Sequence, residues 1–165
     1  MKIAVKAGAD VPYCIMGGTA LSEGIGEILT PLTSPPKAHL LVAKPDIDVS
    51  TAFVYQNLRL QDLKKHPDID GMVEALKRGD LKGITDRMEN VLETVTIPAH
   101  PVIGEIKEIC RAKGAMNALM SGSGPTVFAV FDQKDDAERA GEKIRERGLS
   151  QEVFVTGFAG TEGCV

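Results

Sequence analysis

The sequence predicts an α+β fold: a split βαβ (ferredoxin-like) antiparallel sheet with helices on one face, preceded by a shorter segment of different character. Three observations predict it. From residue 38 onward the candidate elements run strand, helices, strand, strand, helix, strand. The two adjacent strands of that order flank one short glycine-serine loop, Ser121-Gly122-Ser123-Gly124, as a hairpin requires. Ahead of the unit, Pro31, Pro35 and Pro36 with Thr33 and Ser34 between them punctuate the chain. The expected division is therefore residues 1–33 and 34–165.

Met1 to Ala7 have the spacing of a final helical turn, with Ile3, Ala4 and Ala7 on one side and Gly8 as the stop. The chain is thus expected to open inside an element, as the remnant of a preceding domain. Val11 to Ile15 form a short apolar run broken by Gly17-Gly18, and Thr19–Leu21 and Ile25–Leu32 are extended candidates around Gly24 and Gly26. Ala38 to Ala43 form a buried-strand candidate ended by Pro45. Ser50 is placed to cap a helix through Ala52, Val54 and Leu58. Ile69, Met72, Val73 and Leu76 repeat at helical spacing up to Gly79, and Leu81, Ile84, Met88 and Val91 continue it in another helix. Pro101 opens the next helix, with Val102, Ile106, Ile109 and Cys110 inward and Gly114 closing it. Strands follow on either side of the glycine-serine loop. Ala137, Ala140 and Ile144 then mark a helix ended by Gly148, Glu152 to Phe158 a last strand, and Ala159 to Val165 a loose tail.

The bulk numbers bound the function. A chain of 165 residues with 43% hydrophobic and 25% charged residues can bury one ordinary core. A net charge of −4 offers no field for nucleic acid or an anionic membrane surface, and the absence of Trp removes stacking platforms. Cys14, Cys110 and Cys164 are odd in number and widely spaced, which suits a reducing compartment. No apolar run approaches the ~18 residues of a membrane span. A soluble, cytoplasmic protein is expected, without nucleic acid or membrane partners.

Three stretches hold candidate chemistry. Ser121-Gly122-Ser123-Gly124 is either a phosphate cradle, its glycines letting backbone N–H groups face an anion, or a plain hairpin turn. Asp10, between Gly8-Ala9 and Val11-Pro12, is either a general base or a turn cap. The glycine-dense run from Gly17 to Glu27 either borders a ligand groove or forms a twisted hairpin. His39, His66 and His100 share no metal-ligand spacing, and no metal site is expected. Met72, Met88, Met116 and Met120 have the character of core filler.

Taken together the segments are more specific than any one of them. Gly8-Ala9-Asp10-Val11-Pro12, Gly17-Gly18-Thr19-Ala20, Glu23-Gly24-Ile25-Gly26-Glu27, Ser50-Thr51-Ala52 near Tyr55, His66-Pro67-Asp68-Ile69-Asp70, Asn90-Val91-Leu92-Glu93 and Met120 to Phe128 follow one another in a familiar order. In that order the chain resembles the 4-diphosphocytidyl-2-C-methyl-D-erythritol kinases, a family of the superfamily that includes galactokinase, homoserine kinase, mevalonate kinase and phosphomevalonate kinase. The resemblance implies an ATP-dependent kinase using Mg2+, with a cytidine diphosphate-linked methylerythritol as substrate. It implies that Asp10 is the catalytic aspartate, that Tyr55 lies against the cytosine ring with Thr51 nearby, and that Ser121, Gly122, Ser123 and Gly124 wall the cleft near the phosphates. The family's glycine-serine ATP loop has no counterpart in these 165 residues. The chain is accordingly expected to be a C-terminal part, inactive alone; a substrate-binding or regulatory α+β module without catalysis is the alternative.

Overall fold

The computed structural model describes residues 8, 11–59, 61 and 66–158. The expected helix over 1–7, the expected tail over 159–165 and Asp10 lie outside the described residues. A short helix, α1 (Val11–Met16), leads into a hairpin of β1 (Thr19–Glu23) and β2 (Ile28–Leu32). The pairing is antiparallel, with Thr19 opposite Leu32 and Glu23 opposite Ile28. Gly24 and Gly26, at φ +71° and +109°, make the connection, so the glycine-dense run is a hairpin. Ile25 lies in that turn rather than in the second strand, because the positive-φ glycines on both sides of it keep the chain from extending.

The second unit begins with β3 (His39–Lys44) and passes through α2 (Thr51–Asn57), α3 (Ile69–Arg78), α4 (Leu81–Thr85), α5 (Glu93–Ala99) and α6 (Pro101–Ala112). It ends with β4 (Asn117–Met120), β5 (Val127–Phe131), α7 (Lys134–Glu146) and β6 (Glu152–Gly157). The strands form one antiparallel sheet in the order β4-β5-β3-β6. Leu41 stands opposite Ala129 and Val155, and Ala129 stands opposite Ala118. Directly opposed residues share a face, so Leu41, Ala43, Ala118, Met120, Val127, Ala129, Phe131 and Val153 form one apolar layer. That layer packs on Ile103, Ile106 and Ile109 of α6 and Ala137, Ala140 and Ile144 of α7 in a single core. The expected α+β arrangement, sheet with helices on one face, is the one observed.

Local chemistry sets the helix ends. The Ser50 hydroxyl accepts from the Phe53 amide at 3.3 Å and starts α2. Asp68 caps α3 by accepting from the Gly71 amide at 3.0 Å, and Gly79 stops that helix at φ +63°. This amide, and then the Arg87 guanidinium at 2.9 Å, hold the Asp68 carboxyl below its ordinary range. Two expectations need correction. The helix expected through Leu81, Ile84, Met88 and Val91 stops at Thr85, because the Asn117 carboxamide takes the carbonyls of Thr85 and Met88 at 2.7 and 3.3 Å. Helix α5 had no sequence signal: Thr94, Val95, Thr96 and Ile97 are β-branched and Pro98 sits inside it.

Candidate active site

The loop between β4 and β5 is a tight turn. The Ser121 amide donates to Thr126 O at 2.8 Å and the Gly124 amide to Ser121 O at 3.0 Å. Gly122 and Gly124 adopt φ +55° and +95°, and the Gly124–Pro125 peptide is cis. A Cβ on Gly124 would lie 2.8 Å from Met120 Sδ and 3.3 Å from Thr96 Cγ2, so this position needs glycine for space as well as for φ.

The turn rests on side chains from residues 90–96. Asn90 Nδ2 donates to the carbonyls of Met120 and Gly122, both at 2.8 Å. Thr96 Oγ1 donates to Ser123 O at 3.2 Å, and Glu93 Oε1 accepts from the Met120 amide at 2.7 Å. The other Glu93 oxygen faces Lys107 Nζ of α6, in a pair whose side chains are 16% and 7% exposed. These supports come from the α5 segment, which packs next to α6 in the core. They were not legible in the sequence as site residues: Asn90 and Glu93 stood in a recognisable segment, but no spacing links them to a loop some 30 positions away.

One further candidate, Thr51, meets this loop, and a second, Tyr55, lies on the same helix. Thr51 opens α2, and its Oγ1 lies 2.8 Å from Ser123 Oγ. Tyr55 follows four positions later, one helical turn along the same face, with 61% of its surface open. Two hydroxyls thus join the glycine turn to a helix face that also carries an uncovered aromatic ring. Asp10 lies outside the described residues, and its position relative to this group is not described. Cavities of about 580 and 510 Å³ lie elsewhere: one between Pro35, His39, Lys134 and Phe158, the other between Tyr13, Ala20, Gly26 and Phe158. Neither is lined by residues of the loop. Among the described residues no group of His, Cys, Asp or Glu side chains is arranged to hold a metal ion, and the Glu93 carboxylate is engaged by the Met120 amide and Lys107.

Comparison with known proteins bears on the family of this domain. Residues 72–149 match the family model described as GHMP kinases C terminal. The chain carries a GHMP kinase C-terminal domain. The 4-diphosphocytidyl-2-C-methyl-D-erythritol kinase of Lachnoclostridium phytofermentans is 54% identical over 158 residues, covering 96% of this chain and 54% of that protein. The protein of the same name from Clostridium perfringens is 48% identical over 155 residues, covering 94% of this chain and 54% of its own. This GHMP kinase domain chain therefore spans about half the length of the curated relatives it matches. A crystal structure of 4-(cytidine 5'-diphospho)-2C-methyl-D-erythritol kinase superposes with a TM-score of 0.78 at 31% identity, over 96% of this chain and 56% of that one. Homoserine kinase from Cytophaga hutchinsonii shares the fold at a TM-score of 0.72 and 21% identity, over 90% of this chain and 49% of that one. No helix among the described residues is long and apolar enough to cross a membrane.

Proposed function

We propose that this chain supplies the C-terminal part of a cytoplasmic, ATP-dependent kinase that phosphorylates the 2-hydroxyl of 4-diphosphocytidyl-2-C-methyl-D-erythritol, a step toward isoprenoid precursors by the non-mevalonate route. The observation that carries the reading is the Thr51–Ser123 contact at 2.8 Å, which joins the helix face bearing Tyr55 to the glycine-serine turn. A cytidine ring stacks on Tyr55, Thr51 lies beside it, and Ser121, Gly122, Ser123 and Gly124 line the path of the phosphates. Asp10 takes the proton of the 2-hydroxyl; that oxygen attacks the γ-phosphorus of ATP, and ADP leaves. Phosphoryl transfer asks a protein mainly for alignment and charge stabilisation, which rigid backbone donors supply. Residues 1–33 belong to the kinase's first domain and 34–165 to its second. Magnesium arrives with the nucleotide; the described residues offer it no cluster of ligands, and no step is assigned to them through it.

The experiment is a titration of the 15N-labelled chain with the cytidyl substrate. Shifts confined to the segment around Asp10, to Thr51 and Tyr55 and to residues 121–124 are expected; shifts elsewhere, or none, overturn the assignment of this surface. The chain alone, given ATP and the same substrate, is expected to release no ADP. Turnover by the pure chain would overturn its role as a part that needs a complementing domain.

A further inference from the structure

We propose that Asn90 is the positioning residue of the glycine-serine turn: it draws two carbonyls inward and so aims the Ser123 amide N–H at a phosphate of the bound ligand. The inference rests on the kinase reading above and adds a residue to it. The carboxamide of Asn90 has two N–H donors, and both are spent on loop carbonyls, Met120 O and Gly122 O, at 2.8 Å each. Its own oxygen accepts from the Leu92 amide at 3.0 Å, which fixes which way the carboxamide faces. Asn90 is half-buried, and its hold on the loop bridges about 30 positions of sequence.

Peptide geometry carries the next step. Across a trans peptide the carbonyl and the following N–H point in opposite directions. Gly124–Pro125 is the one cis bond among the described residues, so the Gly122–Ser123 peptide is trans. Pulling Gly122 O toward Asn90 therefore turns the Ser123 N–H outward. Among the described residues the amides of Gly122 and Ser123 have no acceptor within the protein, whereas those of Ser121 and Gly124 do. Gly122 is exposed and Ser123 half-buried, with the Ser123 hydroxyl against Thr51. The turn is also held where it leaves β4: Glu93 takes the Met120 amide while Asn90 takes the Met120 carbonyl. An anion meeting two preoriented amides avoids the ordering cost that a free loop would carry.

The test uses the 15N-labelled chain, with inorganic pyrophosphate and then ATP as probes. In the wild type, saturable shifts of the Gly122 and Ser123 amides are expected. Asn90→Asp keeps the size of the side chain but puts an oxygen against both carbonyls. It is expected to weaken pyrophosphate binding about tenfold or more while leaving amides of β3 and β6 in place. Binding within twofold of the wild type would overturn the proposal. If the variant does not fold, the wild type still decides: the Asn90 carboxamide protons should exchange with solvent at least tenfold more slowly than those of exposed Gln56, and equal exchange would overturn it. Protected Asn90 protons together with no pyrophosphate or ATP shift at residues 121–124 would instead sink the phosphate-facing reading of the loop, and the aim assigned to Asn90 with it.

Discussion

Replacing Gly124 by alanine should damage this protein far more than replacing Gly122, although the two glycines are neighbours in one turn. Both carry positive φ, +95° and +55°, and an L-residue held there costs about 1–2 kcal/mol. They differ in what surrounds them. A Cβ at position 122 meets nothing within 4 Å, whereas at 124 it lies 2.8 Å from Met120 Sδ and 3.3 Å from Thr96 Cγ2. Carbon–heavy-atom contacts settle at about 3.5–4.0 Å, so the sulfur must retreat. Met120 is 1% exposed and backs onto the sheet–helix core, so its retreat becomes overpacking, worth about 1–3 kcal/mol. Gly124→Ala is therefore expected to cost about 2–5 kcal/mol and to lower the melting temperature by about 4–20 °C for a chain of this length. Gly122→Ala should lower it by about 2–8 °C, through backbone strain alone. Thermal unfolding followed by far-ultraviolet circular dichroism reads both. Equal losses, or a Gly124→Ala protein as stable as the wild type, would refute the argument that this turn is packed from beneath.

Lys107→Met leaves the buried Glu93 carboxylate without its partner and should cost about 3 kcal/mol, while the Glu93→Gln/Lys107→Met double variant should recover much of that loss; urea unfolding of the two variants gives the comparison, and a double variant no better than the single would contradict it. Burial pushes the Cys110 thiol up from 9.0 to about 12. Between those values the unfolded chain binds fewer protons at this site than the folded one, so stability falls as pH rises, by about 1 kcal/mol from this residue at pH 10. Urea midpoints at pH 8 and pH 10 should separate more in the wild type than in Cys110→Ala, and an unchanged separation would remove the thiol from the account. Tyr55→Ala should weaken binding of the cytidyl substrate about tenfold or more, the worth of one lost base–aromatic stack; calorimetric titration showing equal affinity would exclude the ring as the base platform.

The fold was legible where one residue type does one job. Ser50 and Gly79 announced the ends of α2 and α3 by capping chemistry, and the Ile69–Leu76 spacing announced a helical face. The strands on either side of the glycine-serine turn were legible because short apolar runs end there in residues that turn. Helix α5 was hidden, because β-branched residues and Pro98 argue locally against a helix that its packing against α6 sustains. The early end of α4 was hidden too, since it depends on Asn117 reaching its carbonyls from another strand. The same limit governs the site. Thr51, Tyr55 and the loop were found as segments, and the structure brings Thr51 against Ser123; the supports from Asn90, Glu93, Thr96 and Lys107 are long-range hydrogen bonds and an ion pair that no local pattern records.

The most direct test of the central claim is phosphoryl transfer by a chimera, in which this chain replaces the matching 54% of the Lachnoclostridium phytofermentans kinase. With ATP and the cytidyl substrate, 31P spectroscopy should show a new phosphate monoester on the 2-hydroxyl, with ADP released in equal amount. The Asp10→Asn chimera should fold and lose most of that turnover. A folded chimera that binds ATP yet leaves this alcohol unphosphorylated, or one in which Asp10→Asn turns over like its parent, would contradict the account.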